Sequence, residues 1–153
     1  MAENILVSAC LLGAPCRFDG THKRCEAVLA LALNPNVKLV PVCPEVLGGM
    51  STPREPSERR GSRVFSRSGE DVTAKFELGA QKALEVAQKH GCKYAIFKER
   101  SPSCGKGEIY DGSFTGRLIP GDGICTQLLM KNGIMVFGDS EIDRLIAAAG
   151  LSD

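Results

Sequence analysis

The sequence contains no tryptophan, and aromatic residues make up only 5% of it. Proteins that bind single-stranded nucleic acid stack bases on aromatic side chains, so this composition gives that class little support. The formal net charge of +1 also lacks the basic excess that nucleic acids and anionic membranes attract. No apolar run approaches the ~18 residues of a membrane-spanning helix. We therefore expect neither a nucleic-acid partner nor a membrane partner, and the oligomeric state is not readable from the sequence.

The start of the sequence lacks the basic segment and the long apolar segment of a secretion signal. Glu3 is acidic, and the apolar run after it is short. We expect a cytoplasmic protein, in which cysteines stay reduced. The chain nevertheless has seven cysteines, an odd number that does not suggest a disulfide framework. Several cysteines in a reducing compartment more often indicate metal, redox or nucleophile chemistry, or plain burial.

Short apolar runs alternate with amphipathic segments along the chain. The predicted strands are 4–9, 37–42, 92–98 and 134–138. The predicted helices are 24–34, 73–91, 124–133 and 139–150. This alternation predicts an α/β fold, a sandwich of three layers in which helices cover both faces of a mostly parallel sheet of about four or five strands. The length of 153 residues fits one domain, which we expect to span 1–153.

Two connecting regions are rich in polar residues and turn signals. The basic segment 52–70 predicts a loop or hairpin inserted after the second strand. Its arginine-rich part, 57–67, could cover a site as a lid, bind anionic groups or form a solvated hairpin, and we favour the hairpin. Residues 99–122 predict loops. We expect Asp139 or Ser140 to cap the last helix.

Three cysteines follow three of the predicted strands. They are Cys10, Cys43 and Cys104. If the strands are parallel, all three thiols lie at the carboxyl edge of the sheet, where α/β proteins bind ligands. The sequence has no Cys-x-x-Cys pair of the kind that builds structural zinc sites. Three ligands on strand ends suggest a metal centre with an open coordination position, and thiolates favour iron–sulfur or zinc. Spacing alone leaves a chance coincidence of loop cysteines with strand ends equally open.

The other cysteines and both histidines are less well placed. Cys25 and Cys125 fall in predicted helices, and Cys92 opens a strand at the opposite edge of the sheet. Burial as small apolar side chains is the better interpretation for these three. Cys16 is an intermediate case, because it lies in the first loop but in a flexible stretch after a proline. Neither histidine is well placed to act as a fourth metal ligand. They are His22 and His90.

Polar residues near these cysteines are candidates for chemistry. Glu45 could act as a general acid or base, although a solvated loop carboxylate is the commoner case. Ser101 and Ser103 could donate hydrogen bonds to a ligand or only stabilise a turn. Three cations could hold an anionic group or be solvated. They are Arg17, Lys98 and Lys106.

Several familiar catalytic motifs are absent. A Cys-x5-Arg phosphate loop does not form, because Arg17 comes one residue too late after Cys10. The His-x-Glu and Pro-Cys-x-x-Cys pattern of zinc nucleobase deaminases is missing. The Gly-x4-Gly-Lys-Ser/Thr phosphate loop is missing too.

Three segments together resemble the thiouracil desulfidase family, small bacterial proteins formerly catalogued as a domain of unknown function. They are SACLLGAPCRFDG (8–20), PVCPEVLGGMSTPREP (41–56) and KERSPSCGKGEIYDG (98–112). The likeness runs nearly end to end, and the motifs stand in the family's order. The resemblance implies a Rossmann-like domain that carries an oxygen-sensitive [4Fe–4S] cluster held by only three cysteines.

The resemblance also implies roles for individual residues. The implied cluster ligands are Cys10, Cys43 and Cys104. Cys16 is left out, because some family members replace it, and Glu45 and Ser101 are the implied catalytic residues. The open iron would bind the sulfur of a thiolated pyrimidine, so that 2-thiouracil becomes uracil and hydrogen sulfide without net redox change. The alternatives are a cluster- or thiol-based sensor without turnover and a zinc-thiolate hydrolase at the same site.

Overall fold

The structure, a computed structural model, describes residues 2–21 and 23–151. The strands are β1 (Glu3–Ser8), β2 (Val37–Val42), β3 (Ser57–Arg60), β4 (Arg63–Ser66), β5 (Tyr94–Phe97), β6 (Glu108–Tyr110), β7 (Leu118–Pro120) and β8 (Met135–Gly138). The helices are α1 (Glu26–Ala32), α2 (Pro44–Leu47), α3 (Thr73–Lys89), α4 (Ile124–Lys131) and α5 (Ile142–Ala149). A short 3-10 helix, Ala9–Leu12, follows β1 directly.

Four parallel strands form the central sheet in the order β2-β1-β5-β8. Successive side chains of a strand point to opposite faces, and the core divides accordingly. Leu6 and Phe97 pack with side chains of α3 and α4 on one face. Val7 and Ile96 pack with side chains of α1 and α5 on the other. Helices therefore cover both faces of a parallel sheet, which confirms the predicted three-layer α/β class with four strands.

The order of the strands opens a crevice at one edge of the sheet. β1 lies between β2 and β5, so the chain crosses from one side of β1 to the other after β2. The connections that leave the carboxyl ends of β1 and β5 run in opposite directions, and ligands bind at such a point in open α/β sheets. The 3-10 helix after β1 and the loop after β5 both start at this edge.

The smaller elements show where the sequence pattern was informative. The hairpin predicted within 52–70 is confirmed, because β3 and β4 pair antiparallel. A second hairpin, β6 and β7, occupies part of the region 99–122 that was predicted as loops. Its strands are three residues long, too short for an alternating pattern to be visible. Within the described part of the chain, no helix is long and apolar enough to cross a membrane.

The predicted cap of the last helix is wrong. The N-cap of α5 is Glu141, and no side chain bonds to the helix start there. Asp139 instead accepts the backbone N–H of Glu99 at 2.8 Å. Ser140 donates its hydroxyl to the Glu99 carboxylate at 2.7 Å. Both side chains therefore fasten the end of β5, a contact between distant residues that the local pattern does not contain.

Candidate functional site

A cavity of about 480 Å³ lies at the crevice between β1 and β5. Four thiols contribute to its wall, those of Cys10, Cys16, Cys43 and Cys104. Cys10 lies in the 3-10 helix after β1, and Cys43 follows β2 directly as the N-cap of α2. Cys104 lies in the loop after β5. The parallel strands thus bring the three predicted thiols to one edge of the sheet, as their strand-end positions led us to expect.

Cys16 lies closer to the other thiols than its position in a loop suggested. Its thiol interacts with the thiols of Cys10 and Cys43. The contact with Cys10 raises the pKa of the Cys16 thiol, whereas the contact with Cys43 lowers it. The pKa of Cys43 is raised as well, first by its hydrogen bond with Cys16 and then by burial. The structure therefore places a fourth sulfur beside two of the three predicted ligands.

Cys104 is the most deeply buried thiol of the cavity wall, at 5% exposed. Burial raises the pKa of its thiol to about 12, and hydrogen bonds with the Ser8 and Ser103 hydroxyls act in the opposite direction. The Ser103 Oγ lies 3.6 Å from the Cys104 Sγ. Metal binding requires the thiolate, so these two hydroxyls favour the form of Cys104 that ligates.

The first turn of α4 holds the loop that carries Cys104. Backbone N–H groups of this turn donate to the carbonyl oxygens of Pro102 and Ser103 at 2.9 Å. The Thr126 hydroxyl donates to the carbonyl oxygen of Cys104 at 2.8 Å. Gly123 permits this approach, because a Cβ there would overlap the backbone of Ser103. The glycine and the helix start therefore set the position of the third thiol.

Glu45 and Ser101 meet in the same cavity. Glu45 lies in the first turn of α2, and its side chain is 14% exposed. Its Oε2 accepts hydrogen bonds from the hydroxyls of Ser101 at 3.5 Å and Ser103 at 3.2 Å. The Ser101 Oγ accepts the backbone N–H groups of Ser103 and Cys104, both at 3.1 Å. One hydrogen-bond network thus joins the carboxylate to the loop that carries Cys104.

Arg54 is a residue of the site that sequence analysis missed. Its side chain is 5% exposed, and its Nε donates to the Glu45 Oε1 at 3.0 Å. Its Nη2 donates to the carbonyl oxygen of Cys16 at 3.0 Å. Its Nη1 donates to the Ser51 carbonyl and the Thr52 hydroxyl at 3.1 Å. The arginine stands within one of the three quoted motifs, but nothing local separates it from the arginines of the neighbouring hairpin.

The base of the β3–β4 hairpin also belongs to the cavity wall. Ser57, the first residue of β3, lines it, and in the described residues its Oγ is the only buried side-chain N or O atom without a hydrogen-bond partner. The arginines of the hairpin bind other parts of the chain. Arg59 donates to the Asp122 carbonyl at 2.6 Å, and Arg60 donates to the Gly112 carbonyl at 2.8 Å. The segment 57–67 is therefore a hairpin, as favoured, but one that is fastened to the β6–β7 region.

The remaining cysteines lie outside the cavity wall. Cys92 and Cys125 are buried in the apolar cluster with α3 and α4, as expected. Cys25 does not lie inside a helix as predicted, because α1 begins one residue later and Cys25 is its half-buried N-cap. All three thiols are thus separated from the four that line the cavity.

Some of the other polar candidates line the cavity and others do not. Arg17 and Lys98 line the cavity, whereas Lys106 lies near Glu141, whose pKa it helps to lower. His90 ends α3 at the amino edge of the sheet, where its carbonyl oxygen accepts a hydrogen bond from Asn4 at 2.6 Å. The other histidine, at position 22, lies outside the described residues.

The described residues contain no group of three His, Cys, Asp or Glu side chains arranged to hold a single metal ion. That finding does not conflict with an iron–sulfur cluster. Each thiolate of such a cluster binds a different iron, so the sulfurs need not converge on one point.

The fold and the cavity define an α/β protein with a thiol-rich ligand site at the carboxyl edge of its sheet. A model of the family described as 2-thiouracil desulfurase matches residues 5–141. The uncharacterized protein YbbK of Bacillus subtilis (strain 168) is 41% identical over 152 residues, which cover 93% of this chain and 99% of YbbK. A solved structure of TudS, a [4Fe-4S]-dependent thiouracil desulfidase, matches with a TM-score of 0.91 and 45% identity, covering 98% of this chain and 99% of TudS. The chain belongs to the 2-thiouracil desulfurase family, which confirms the resemblance seen in the motifs.

Proposed function

We propose that this protein is an iron–sulfur-dependent thiouracil desulfidase that replaces the sulfur of a thiolated pyrimidine with oxygen from water. The observation that carries the proposal is that three strand-end thiols share one cavity with a carboxylate and a serine. They are Cys10, Cys43, Cys104, Glu45 and Ser101. The likeness to a [4Fe-4S]-dependent thiouracil desulfidase over nearly the whole chain supports the cofactor and the substrate class.

The donor set fits a [4Fe–4S] cluster held by Cys10, Cys43 and Cys104. Thiolates are the ligands of such clusters, and all seven cysteines, each within the described residues, are free thiols. The Ser8 and Ser103 hydroxyls that bond to Cys104 are the kind of second partner that tunes a ligating sulfur. When bound, the cluster supplies an iron without a protein ligand, a Lewis acid for the sulfur of the substrate.

Glu45 is the proton carrier in this proposal. The reaction replaces the ring C=S bond by C=O, and both protons of the attacking water must leave with the sulfur as hydrogen sulfide. The Glu45 carboxylate accepts a proton from the water and passes it to the ring nitrogen or to the departing sulfur. Its Oε2 faces the serine hydroxyls of the loop that carries Cys104, so the moving proton stays beside the thiol edge of the cavity.

Ser101 orients the substrate. Two backbone N–H groups donate to its oxygen, so its own proton points away from them, toward Glu45 or a ligand. A hydroxyl held in this way costs little reorganisation when charge develops on the pyrimidine. No electrons are gained or lost in the overall exchange of sulfur for oxygen, so the proposal needs no nicotinamide or flavin.

The test compares the wild-type protein with Glu45→Gln after anaerobic reconstitution with iron and sulfide. Both proteins should turn brown with broad visible absorbance, whereas Glu45→Gln should release sulfide from 2-thiouracil far more slowly than the wild type. Glu55→Gln is the matched control, because that carboxylate bonds to Ser68 outside the cavity wall. Full activity of Glu45→Gln would remove this residue from the mechanism. A wild-type cluster without sulfide release would favour a sensor, and activity of colourless, zinc-loaded protein would favour the zinc hydrolase.

A further inference from the structure

We infer that Arg54 is a positioning residue, which holds Glu45 and the loop that carries Cys16 in one fixed arrangement. The inference rests on the proposed function, because it gives Arg54 a part in the turnover assigned to Glu45. Three sets of contacts support it: those of the guanidinium, those of the two carboxylate oxygens, and those of the Arg54 backbone.

All three nitrogens of the Arg54 guanidinium donate hydrogen bonds. One reaches the Glu45 carboxylate, one reaches the Cys16 carbonyl, and the third reaches Ser51 and Thr52, all at 3.0–3.1 Å. Such a planar fork with fixed directions belongs to arginine, since lysine offers a charge on a flexible stem. The arrangement is therefore specific for arginine rather than for any cation.

The hydrogen bond from Arg54 determines which oxygen of the Glu45 carboxylate is turned toward the serine hydroxyls. It binds Oε1, and Oε2 is left to the hydroxyls of Ser101 and Ser103. Without the guanidinium, Oε1 loses its partner and the carboxylate becomes free to rotate away from the serines. A displacement of about 1 Å in a reacting group can lower turnover on the order of 100-fold.

The backbone of Arg54 joins the same two parts of the wall. Its N–H donates to the carbonyl oxygen of Phe18 at 2.5 Å, two residues after Cys16. The Cys16 carbonyl that accepts from the guanidinium also accepts from the Cys43 thiol at 3.8 Å. One arginine thus connects the loop 13–21, a proposed cluster ligand and the proposed proton carrier.

The ion pair is also well shielded from solvent, with Arg54 at 5% and Glu45 at 14% exposed. Breaking a buried pair leaves an unpaired charge and weakens the fold. A loss of activity could therefore reflect instability alone, and the experiment must separate the two roles.

The experiment measures steady-state kinetics of reconstituted Arg54→Met and Arg54→Lys, alone and combined with Glu45→Gln. Methionine keeps the apolar stem without the charge. We expect Arg54→Met to keep the cluster absorbance and to lower kcat on the order of 100-fold, with a much smaller change in KM. Arg54→Lys should recover part of the loss. In the Glu45→Gln background, Arg54→Met should cause no further loss, because both changes disable the same group.

Arg59→Met is the matched control. Arg59 also bridges separate parts of the chain, donating at 2.6 Å to the Asp122 carbonyl and to the Gln127 side chain, but it does not line the cavity. Its loss should lower stability and leave kcat near the wild-type value. A second measurement needs no cluster: amide hydrogen exchange of the apoprotein should accelerate at Cys16 and Arg17 in Arg54→Met and stay unchanged in Arg59→Met.

The outcomes separate the inference from the proposed function. An inactive wild type with the expected exchange pattern would refute the desulfidase proposal and keep Arg54 as the residue that fixes the loop. If the wild type is active, either of two results overturns the inference. Arg54→Met could retain full kcat, or the loss of kcat that it causes could add fully to the loss caused by Glu45→Gln. If Arg54→Met does not fold, wild-type kcat in Arg54→Lys overturns it in the same way.

Discussion

At the scale of single residues, serine hydroxyls organise the sulfur and oxygen atoms of the site. Ser103 is buried between the Glu45 carboxylate at 3.2 Å and the Cys104 sulfur at 3.6 Å. The Ser8 hydroxyl, which acts to lower the pKa of the same thiol, accepts the backbone N–H of Lys98 at 2.9 Å. Buried hydroxyls are stabilising only when they have such partners. These serines therefore support the thiol edge of the cavity.

Cys16→Ser tests the ligand set. We expect this variant to assemble the cluster with wild-type iron content, whereas Cys10→Ser, Cys43→Ser and Cys104→Ser should each lose it, because three thiolates suffice in the proposed site. Iron and sulfide analysis with the visible spectrum makes the measurement, and Cys25→Ser is the control outside the cavity wall. Loss of iron in Cys16→Ser together with an intact cluster in Cys43→Ser would show that the set is wrong.

Ser57→Ala tests the hydroxyl in the cavity wall that has no hydrogen-bond partner among the described residues. A buried hydroxyl without a hydrogen bond is destabilising, so its removal should raise the free energy of unfolding of the apoprotein by about 1 kcal/mol. Urea titration makes the measurement. Ser66→Ala on the same hairpin is the control, because the buried Ser66 hydroxyl pairs with the Ser68 hydroxyl at 3.1 Å. Its removal should lower the free energy of unfolding. Equal losses in both variants would contradict this interpretation of Ser57.

At the scale of elements, close packing of α2 on α3 positions both Cys43 and Glu45. Gly48 ends α2, and a Cβ there would overlap the backbone of Lys75 in α3. A Cβ at Gly79 in α3 would overlap the backbone of Pro44 in α2. Two glycines therefore let a four-residue helix lie directly on the long one. The proposed ligand at its start and the proposed proton carrier in its first turn depend on this contact.

Gly79→Ala should weaken the fold, although alanine favours a helix over glycine by about 1 kcal/mol. The added methyl group meets the backbone of Pro44, and overpacking of this kind costs about 1–3 kcal/mol. Thermal or urea unfolding makes the measurement. Gln81→Ala, at an exposed position of the same helix, should change stability little. A more stable Gly79→Ala would mean that α2 does not rest on α3 in this way.

The hairpin and the start of α3 are joined by an exposed carboxylate that gives a pH test. Hydrogen bonds with Thr73 and Arg63 lower the pKa of Asp71 to about 2. Because the pKa is lowered in the folded protein, the ionised carboxylate stabilises the fold at pH values above its ordinary pKa of 3.8. This stabilisation disappears as the pH falls toward 2. Asp71→Asn should therefore be less stable than the wild type at neutral pH, with a gap that closes between about pH 4 and pH 2.

Urea titrations over a pH series measure that gap. Asp143→Asn, an exposed carboxylate in the first turn of α5, is the control. A gap that stays constant down to pH 2 would contradict the assignment of the effect to the Asp71 charge.

At the scale of the whole molecule, the part of the site that follows from sheet topology could be predicted. The apolar runs of β1, β2 and β5 are plain in the sequence, and parallel pairing places the residues after them at one edge. Cys10, Cys43 and Glu45 stand immediately after their strands, so strand order determines their position. The position of Cys104 does not follow from strand order alone, because the loop after β5 must fold back. The conformation of that loop depends on contacts with α4.

The parts that depend on contacts between loops could not be predicted. Cys16 reaches Cys10 and Cys43 through the path of the loop 13–21, and no periodicity encodes that path. Arg54 reaches Glu45 across a turn of irregular backbone, so its sequence neighbourhood resembles that of any loop arginine. The assignment of the family came from the joint pattern of three motifs, which is information about relatives rather than about local structure.

The most direct test of the account is the fate of 2-thiouracil with the anaerobically reconstituted protein in ¹⁸O-labelled water, without any added reductant or nicotinamide. The predicted result is one hydrogen sulfide for each uracil formed, with one ¹⁸O atom from water in each uracil. Absence of uracil, a requirement for added electrons, or uracil without the label would contradict redox-neutral desulfuration at this site.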